Sequence, residues 1–255
     1  MDTLCYVRAL MEKNPSNDSG VFNSDAEKNG GYLYTTNAPL SAHLANRRIT
    51  DAVLETVSLE GKRVLDLGCG DGTYTLELFE RGKPSAMSGI DIAAGAIDIA
   101  LRKKPGSPVV FKVCSADRLP FADDSFDLVH LRGVLHHLDN PVDVLREALR
   151  VAPNLVVTES NGYNPVSKVL QVVSRYHRAH HEKSYSPASL RRWIKKLGGT
   201  IRCDKYVSLV PFFCPDLLAR SASMMEPLVE KIPLLNALSC GVYVVVAERK
   251  ARGAR

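Results

Sequence analysis

The chain has 255 residues, of which 45% are hydrophobic and 24% are charged, an ordinary composition for a globular protein that can bury a sizeable core. Its net charge of +5 is only mildly basic and does not by itself indicate a nucleic-acid-binding protein. No stretch approaches the roughly 20 apolar residues that cross a bilayer, and residues 1–20 lack the apolar run of a signal peptide. We therefore expect a cytoplasmic protein without a membrane span.

The first 58 residues predict an arm followed by a helix. Residues 12–31 are polar and rich in glycine, which is typical of a mobile arm. Pro39–Val57 carries apolar residues at roughly helical spacing. We find no internal repeat and no domain break, and we expect a single domain over residues 1–255.

From Lys62 onward, strand and helix patterns alternate, which predicts a mostly parallel sheet with helices on both faces. The predicted strands of this part are Arg63–Cys69, Ala86–Asp91, Val109–Ser115, Phe126–Leu131 and Leu155–Thr158. The predicted helices are Thr73–Arg81, closed by a left-handed Gly82, Ala94–Lys104, and a helix capped by Asn140 with Pro141 at its first position.

Residues 161–255 predict two further helices, two strands and an insert. The helices are Pro165–His180 and a segment from Ser186 to Leu197 closed by Gly198, and the strands are Thr200–Val210 and Val242–Ala247. Between the strands, the insert at residues 211–239 is apolar and interrupted by prolines.

The six cysteines are scattered and form no C-x-x-C pair: Cys5, Cys69, Cys114, Cys203, Cys214 and Cys240. This spacing favours reduced packing residues and predicts no metal site.

The strongest motif is the sequence VLDLGCGDG at Val64–Gly72, where a buried strand runs into glycines and then a helix. Glycines allow a tight turn and a close approach of the backbone to a ligand. Asp91 ends the second strand 21 positions after Gly70, where a doubly wound sheet places a carboxylate able to accept both ribose hydroxyls.

These residues, followed by GIDI, SADRLPFADDSFDLVH and GVLHHL, resemble the successive motifs of class I S-adenosylmethionine-dependent methyltransferases over residues 59–159. The resemblance implies a three-layer α/β/α sandwich of Rossmann type. Its seven-stranded sheet would have the order 3-2-1-4-5-7-6, with strand 7 antiparallel. It also divides the chain into an N-terminal arm and helix (1–58), a cofactor-binding half (59–160) and a substrate-side half (161–255).

The resemblance also implies roles for the matching residues. Gly68 and Gly70 would line the amino-acid part of S-adenosylmethionine, and Asp66 would lie near its ammonium, directly or through water. At the other end, Asp91 would bind the ribose. The adenine would pack on Ile92 and donate from its amino group to Asp117, for which a turn or cap role is the alternative. Residues 131–134 would face the methyl group.

The residues after the fourth strand leave alternatives open. Arg132 departs from the small or amide residue of many relatives, and it would either form a salt bridge outward or contact a carboxylate of cofactor or substrate. His136 and His137 border the implied acceptor pocket, and either could act as a general base, His136 in preference, or simply pack. Glu159 could orient a histidine, hydrogen-bond the acceptor, or lie in water as a strand-end carboxylate.

The second half of the chain carries two features without an assigned role. Basic residues outnumber acidic ones in residues 161–205, which indicates either solvated helix faces, the preferred interpretation, or a patch for an anionic acceptor. The lack of interleaved aromatic residues disfavours RNA. Phe, Leu and Met in the insert would suit either the core or an adaptable substrate pocket.

The favoured function is methyl transfer to an O, N or C nucleophile of a small, partly apolar metabolite of the quinone, lipid or secondary-metabolite type. The alternatives are methylation of RNA or protein, a cofactor-binding protein without turnover, and a nicotinamide oxidoreductase, which the glycine spacing disfavours. The N-terminal arm, with Tyr32 and Tyr34, is predicted to order over the cofactor. The sequence leaves the oligomeric state open.

Overall fold

In a computed structural model, the described residues are 31, 32, 35, 39–173, 184–212 and 214–249, with only the backbone of 170–173. The strands are β1 Arg63–Leu67, β2 Ala86–Asp91, β3 Val110–Val113, β4 Leu128–Arg132, β5 Asn154–Ser160, β6 Gly199–Val207 and β7 Val242–Arg249. The helices are α1 Leu40–Thr56, α2 Thr73–Gly82, α3 Ala94–Lys103, α4 Pro141–Val151, α5 Pro165–Val173, α6 Pro187–Lys196, α7 Asp216–Val229 and α8 Leu235–Ser239. A 3₁₀ turn spans Leu135–His137.

All seven strands form one sheet in the order β3-β2-β1-β4-β5-β7-β6. The first five strands pair in parallel, whereas β7 runs antiparallel to both β5 and β6. This is the strand order that the family resemblance implied, and it is confirmed. Because β1 and β4 are central, their side chains are buried on both faces of the sheet, which explains the continuous apolar runs in their sequences.

Two apolar cores cover the two faces of the sheet. On one face, Leu190 and Ile194 of α6 pack with α4 against the strands. On the other face, Ile49 and Val53 of α1 pack with residues of α2 and α3. The expected three-layer α/β/α sandwich is therefore confirmed.

Local signals set the helix ends, with one correction. The Ser186 hydroxyl accepts a hydrogen bond from Ser189 N at 3.1 Å and starts α6, while Gly198 closes it with φ +85°. The prediction of a left-handed Gly82 after α2 was wrong, because Gly82 is helical and Lys83 takes that conformation with φ +50°. A Cβ on Gly82 would come within 2.8 Å of Leu59, so packing explains the glycine.

Other boundaries differ from the predictions by a few residues. Asn140 precedes α4 without a side-chain cap hydrogen bond, although Pro141 does occupy the first turn. The strand predicted to reach Val210 ends at Val207, because Ser208 adopts φ +66° and begins the insert. The predicted helix Pro165–His180 is described as far as Val173, and its remainder lies outside the described residues.

The insert folds into α7 and α8 at the edge of the sheet where the parallel strands end. Asn161, directly after β5, donates from Nδ2 to the carbonyl oxygens of Ala237 and Cys240 at 2.8 Å. Ser41 at the start of α1 donates to the Phe212 carbonyl at 2.8 Å. The insert therefore extends the edge at which α/β sheets bind ligands.

Candidate functional site

The turn after β1 is built by glycines in the left-handed region. Gly68, Gly70 and Gly72 have φ values of +77°, +53° and +74°, which residues other than glycine rarely adopt. Gly68 N and Cys69 N donate to the Ile90 carbonyl at 2.8 and 2.9 Å, so the turn is tied to β2. A Cβ on Gly68 would come within 2.3 Å of Val134, which brings the segment after β4 directly against this glycine loop.

Asp91 links the glycine loop to the end of β2. One carboxylate oxygen accepts from Gly70 N and the other from Ala93 N, both at 2.9 Å. Burial raises the pKa of the Asp91 carboxyl; the backbone N–H groups of Ala93 and Gly70 oppose this rise, and the nearby Asp66 adds to it. A carboxylate has about four acceptor positions, so Asp91 keeps capacity for ligand hydroxyls.

Asp66 lies beneath the loop and is 4% exposed. It accepts from Thr75 Oγ1 of α2 and, at 2.7 Å, from His130 Nδ1, its register partner on β4. Among the described residues, His130 Nε2 has no hydrogen-bond partner although it is buried. The Asp66 carboxylate is thus engaged by the protein itself, which favours the indirect form of the expected contact with an ammonium.

Arg132 points inward and contacts α1. Its guanidinium donates to the Asn46 amide oxygen at 2.8 Å and to Thr50 Oγ1 at 3.0 Å. It also lies 3.8 Å from the ring centroid of Tyr74 in a cation–π contact. A positive charge is therefore fixed beside the first turn of α2, next to the glycine loop.

His136, after β4, and Glu159, near the end of β5, form a buried pair. His136 Nδ1 lies 2.7 Å from Glu159 Oε2, while Oε1 accepts from Val134 N at 2.9 Å and Leu135 N at 2.7 Å. Since an ionised carboxylate only accepts, Nδ1 of His136 carries the proton in this bond and the neutral ring has its lone pair on Nε2. The structure thus places Glu159 as an orienting partner and not in water.

His137 lies beside His136, with the ring centroids 4.0 Å apart and the ring planes tilted by 47° to each other. Of the two, only His136 has a hydrogen bond to Glu159 in the described structure.

The two residues expected at the adenine lie on the rim of the same edge. Ile92 is half-buried directly after Asp91, and Asp117 is exposed. Asp117 accepts a hydrogen bond from Ser115 Oγ, a local turn contact that leaves its other oxygen for a ligand. The adenine role of both residues stays a prediction.

The described residues of the N-terminal arm lie against the glycine loop. Tyr32 N donates to Asp71 Oδ2 at 3.1 Å, and the Thr35 hydroxyl donates to the same oxygen. A Cβ on Gly70 would come within 2.6 Å of the Tyr32 ring, which is 6% exposed and packs with Ala93. Tyr34 and residues 12–30 lie outside the described residues.

Sequence reasoning missed several of these positions. His130 carries a signal, because a histidine in a buried apolar strand needs a partner, and β4 places it opposite Asp66. Asp71 carries a weaker one, as the aspartate of an Asp-x-Thr turn in which Thr73 N donates to it at 3.1 Å. No pattern in the sequence indicates that Tyr74 would receive Arg132.

Comparison with known proteins now gives the family. The sequence model described as a methyltransferase domain matches residues 65–154, the stretch that contains the glycine loop, Asp91 and His136. Residues 65–154 form a class I S-adenosylmethionine-dependent methyltransferase domain.

The relatives of this methyltransferase domain differ in what they act on. The chain is 33% identical to a demethylmenaquinone methyltransferase of Renibacterium salmoninarum over 161 residues, 60% of this chain and 62% of the relative. It is 31% identical to a tRNA U34 carboxymethyltransferase of Pseudomonas aeruginosa over 149 residues, 56% of this chain and 46% of that protein. The chain thus spans about three fifths of the length of the first of these relatives.

Among solved structures, the [4+2]-cyclase SpnF has a TM-score of 0.68 and 21% sequence identity and covers 93% of this chain and 96% of its own. This similarity shows that the fold extends over nearly the whole chain, beyond the methyltransferase domain. It does not transfer an activity.

The residues of the methyltransferase domain fit S-adenosylmethionine at the loop and at the ribose position. The left-handed φ values of Gly68 and Gly70 form the tight turn that this loop needs, and Asp91 keeps acceptor capacity after its hydrogen bonds from Gly70 N and Ala93 N. Among the described helices, none combines the length and the apolarity of a membrane span.

Proposed function

We propose that the chain transfers the methyl group of S-adenosylmethionine to an O, N or C nucleophile of a small, partly apolar acceptor. The observation that carries the proposal is the His136–Glu159 pair. His136 follows β4, two residues after Val134, the residue packed on Gly68, and Glu159 lies near the end of β5. A potential base is thereby held near the cofactor loop, because Glu159 also accepts from Val134 N and Leu135 N in the same segment.

The residues of the loop would bind and orient. Asp91 would accept from the ribose hydroxyls, and Gly68 and Gly70 would admit the methionine part close to the backbone. Arg132, fixed by Asn46 and Tyr74, supplies a positive charge suited to the cofactor carboxylate. When bound, S-adenosylmethionine would supply an activated methyl group, and its transfer would leave S-adenosylhomocysteine.

His136 would hold the proton that the acceptor gives up. Glu159 keeps the imidazole proton on Nδ1, so Nε2 is the atom that would receive a proton from a phenol, an amine or an acidic carbon. Much of the acceleration would come from holding the nucleophile in line with the methyl group. The base therefore matters most for acceptors that are not already ionised.

An apolar acceptor is supported by the surroundings of the pair. The insert, which is rich in Phe, Leu and Met, brings α7 and α8 to the same edge of the sheet, where a partly apolar acceptor would approach the pair. The similarity to a demethylmenaquinone methyltransferase points to the same acceptor class.

A macromolecular acceptor is the second candidate, supported by the similarity to a tRNA-modifying enzyme and by basic residues on α6. The experiment that decides is methyl transfer from radiolabelled S-adenosylmethionine to a panel of demethylated quinones, plant-type phenols and unmodified tRNA. We expect label on a quinone or phenol together with release of S-adenosylhomocysteine. Label on tRNA alone would favour the second candidate. Calorimetry that detects binding of NAD but no binding of S-adenosylmethionine would refute both.

A further inference from the structure

The exposed apolar residues of the protein are concentrated on one surface. Of the fourteen large apolar side chains described as exposed, nine lie between Leu217 and Leu238, and three more are Tyr163, Val166 and Val169. Leu217 is 80% exposed, Met224 83% and Leu234 72%. Single exposed apolar residues are ordinary, but a contiguous set marks an interaction surface.

Helix α7 reverses the pattern of an ordinary surface helix, whose apolar side faces the protein and whose polar side faces solvent. The carboxylates at its C-terminal end face the protein: Glu226 accepts from Leu209 N at 2.8 Å, and just beyond the helix Glu230 pairs with Arg48 at 2.6 Å. Asp216, in the first turn, is exposed. The opposite side carries the exposed leucines and methionines. The helix is therefore anchored by its charges and presents its apolar face outward.

α5 and α8 extend this face into one surface. Asn164, which starts α5, donates from Nδ2 to the Ser239 carbonyl at the end of α8 at 3.0 Å, so the two helices are fixed together. We call the exposed apolar residues of α5, α7 and α8, with Tyr163 and the turn between α7 and α8, the apolar cap.

Basic residues flank the apolar cap. Among the described residues of α5, α7, α8 and the connecting turn, Lys168, Arg220 and Lys231 are exposed, and Asp216 is the one exposed carboxylate. Tyr163 also belongs to a neighbouring groove of about 560 Å³ between α6 and β6. The groove is lined by Tyr163, Pro187, Ala188, Arg191, Arg192, Lys195, Lys196 and Tyr206.

We propose that the apolar cap docks on an anionic lipid bilayer, with its leucines and methionines in the interface and the basic groove on lipid phosphates. Interfacial binding needs this combination of exposed apolar area and flanking cations, and each cation near an anionic membrane adds attraction. A second copy of the chain is a poorer occupant, because a two-fold contact would bring like charges together. The proposal goes beyond methyl transfer, and binding to vesicles can be read without cofactor or acceptor.

The test is flotation of the full chain with phosphatidylcholine vesicles that contain either no or about one third phosphatidylglycerol. We expect binding to the anionic vesicles, weakened by salt. Leu217→Ser combined with Met224→Ser and Leu234→Ser should reduce binding about tenfold or more. Leu101→Ser is the matched control, since this leucine is 52% exposed on α3 and lies outside the cap.

Charge reversal of the groove separates the phosphate contact from the apolar one. Arg192→Glu with Lys196→Glu should reduce flotation about tenfold on anionic vesicles, whereas Arg102→Glu with Arg146→Glu on α3 and α4 should change it much less. Absence of flotation at low salt would overturn the proposal. So would a dimer in sedimentation velocity without lipid that the cap substitutions dissociate, because the cap would then be an interface between copies.

Discussion

Two aspartates near the glycine loop have different environments and, we expect, different tasks. Asp91 is half-buried and binds two backbone N–H groups from separate segments, whereas Asp66 is sealed by His130 and Thr75. The first can still meet a ligand, and the second holds β1, β4 and α2 in place. The sequence shows both aspartates but not how exposed each one is. Sequence patterns therefore assigned both to the cofactor and could not distinguish a ligand contact from a structural role.

Asp91→Ala should weaken S-adenosylmethionine binding by about 1.5–3 kcal/mol, the range for charge-assisted hydrogen bonds to a ligand. The substitution also frees Gly70 N and Ala93 N, so loosening of the loop adds to the loss. Isothermal titration calorimetry measures it, with Asp117→Ala as a comparison at the exposed end of the site. Unchanged affinity in the Asp91 variant would remove this residue from the ribose contact.

His136→Ala should leave S-adenosylmethionine affinity within about twofold and lower turnover by roughly 10²-fold, if this imidazole accepts the proton of the acceptor. The loss should shrink at high pH, where the acceptor ionises unaided. His137→Ala is the matched control, because this ring lacks the hydrogen bond to Glu159.

Glu159→Gln tests the orienting contact separately. It should lower turnover less than His136→Ala and shift the pH–rate profile, because the amide cannot stabilise a charged imidazole as a carboxylate does. Full turnover in His136→Ala at neutral pH would leave in-line positioning as the main source of rate.

At the scale of elements, Asp71 joins three parts of the chain that are distant in sequence. It accepts from Tyr32 N in the arm and from Thr73 in α2, and it pairs with Lys103 at the end of α3 at 2.8 Å. Burial tends to raise the pKa of Asp71, but the hydrogen bonds from Lys103, Thr35 and Thr73 hold it below its usual value of 3.8. The arm is thus attached through an ionised carboxylate.

Asp71→Asn should release the arm at neutral pH and speed amide hydrogen exchange at Tyr32 and Thr35. The lowered pKa means that the ionised form stabilises the folded state above the unfolded value of 3.8, and that this stabilisation is lost as pH falls through the lower folded value. Wild-type exchange at these two amides should therefore approach that of the variant only below about pH 3.8. Equal protection of both proteins at pH 7 would contradict the attachment.

The sequence predicted most elements because their signals are local. The apolar run of β1, the Pro141 start of α4 and the Ser186 cap of α6 each specify structure within a few residues. Gly82 was misassigned because its reason is a distant contact with Leu59. The sequence also could not show that the apolar side of α7 faces solvent. Which side of an amphipathic helix faces the protein depends on distant contacts, such as that of Arg48 on α1 with Glu230 just after α7.

For the molecule as a whole, the cofactor half is one continuous stretch, and ligand binding should stabilise the entire sheet through it. S-adenosylhomocysteine at 100 times its Kd should add about 2.7 kcal/mol to the free energy of unfolding. For a chain of this size that raises Tm by roughly 5–10 °C. Thermal unfolding followed by circular dichroism measures the shift.

NAD at the same concentration should leave Tm unchanged, and the Asp91→Ala variant should show a much smaller shift with S-adenosylhomocysteine. A larger shift with NAD would favour the oxidoreductase reading over the methyltransferase.

The position of β7 in the sheet also affects how the chain folds during its synthesis on the ribosome. β6 is synthesised before β7, yet β7 lies between it and β5 in the sheet. β5 must therefore wait for a neighbour that follows β6 by roughly 35 residues, a few seconds of translation at ordinary speed. During that interval the nascent chain would present an apolar open strand edge, so we expect this intermediate to be a stage at which chaperones protect the yield.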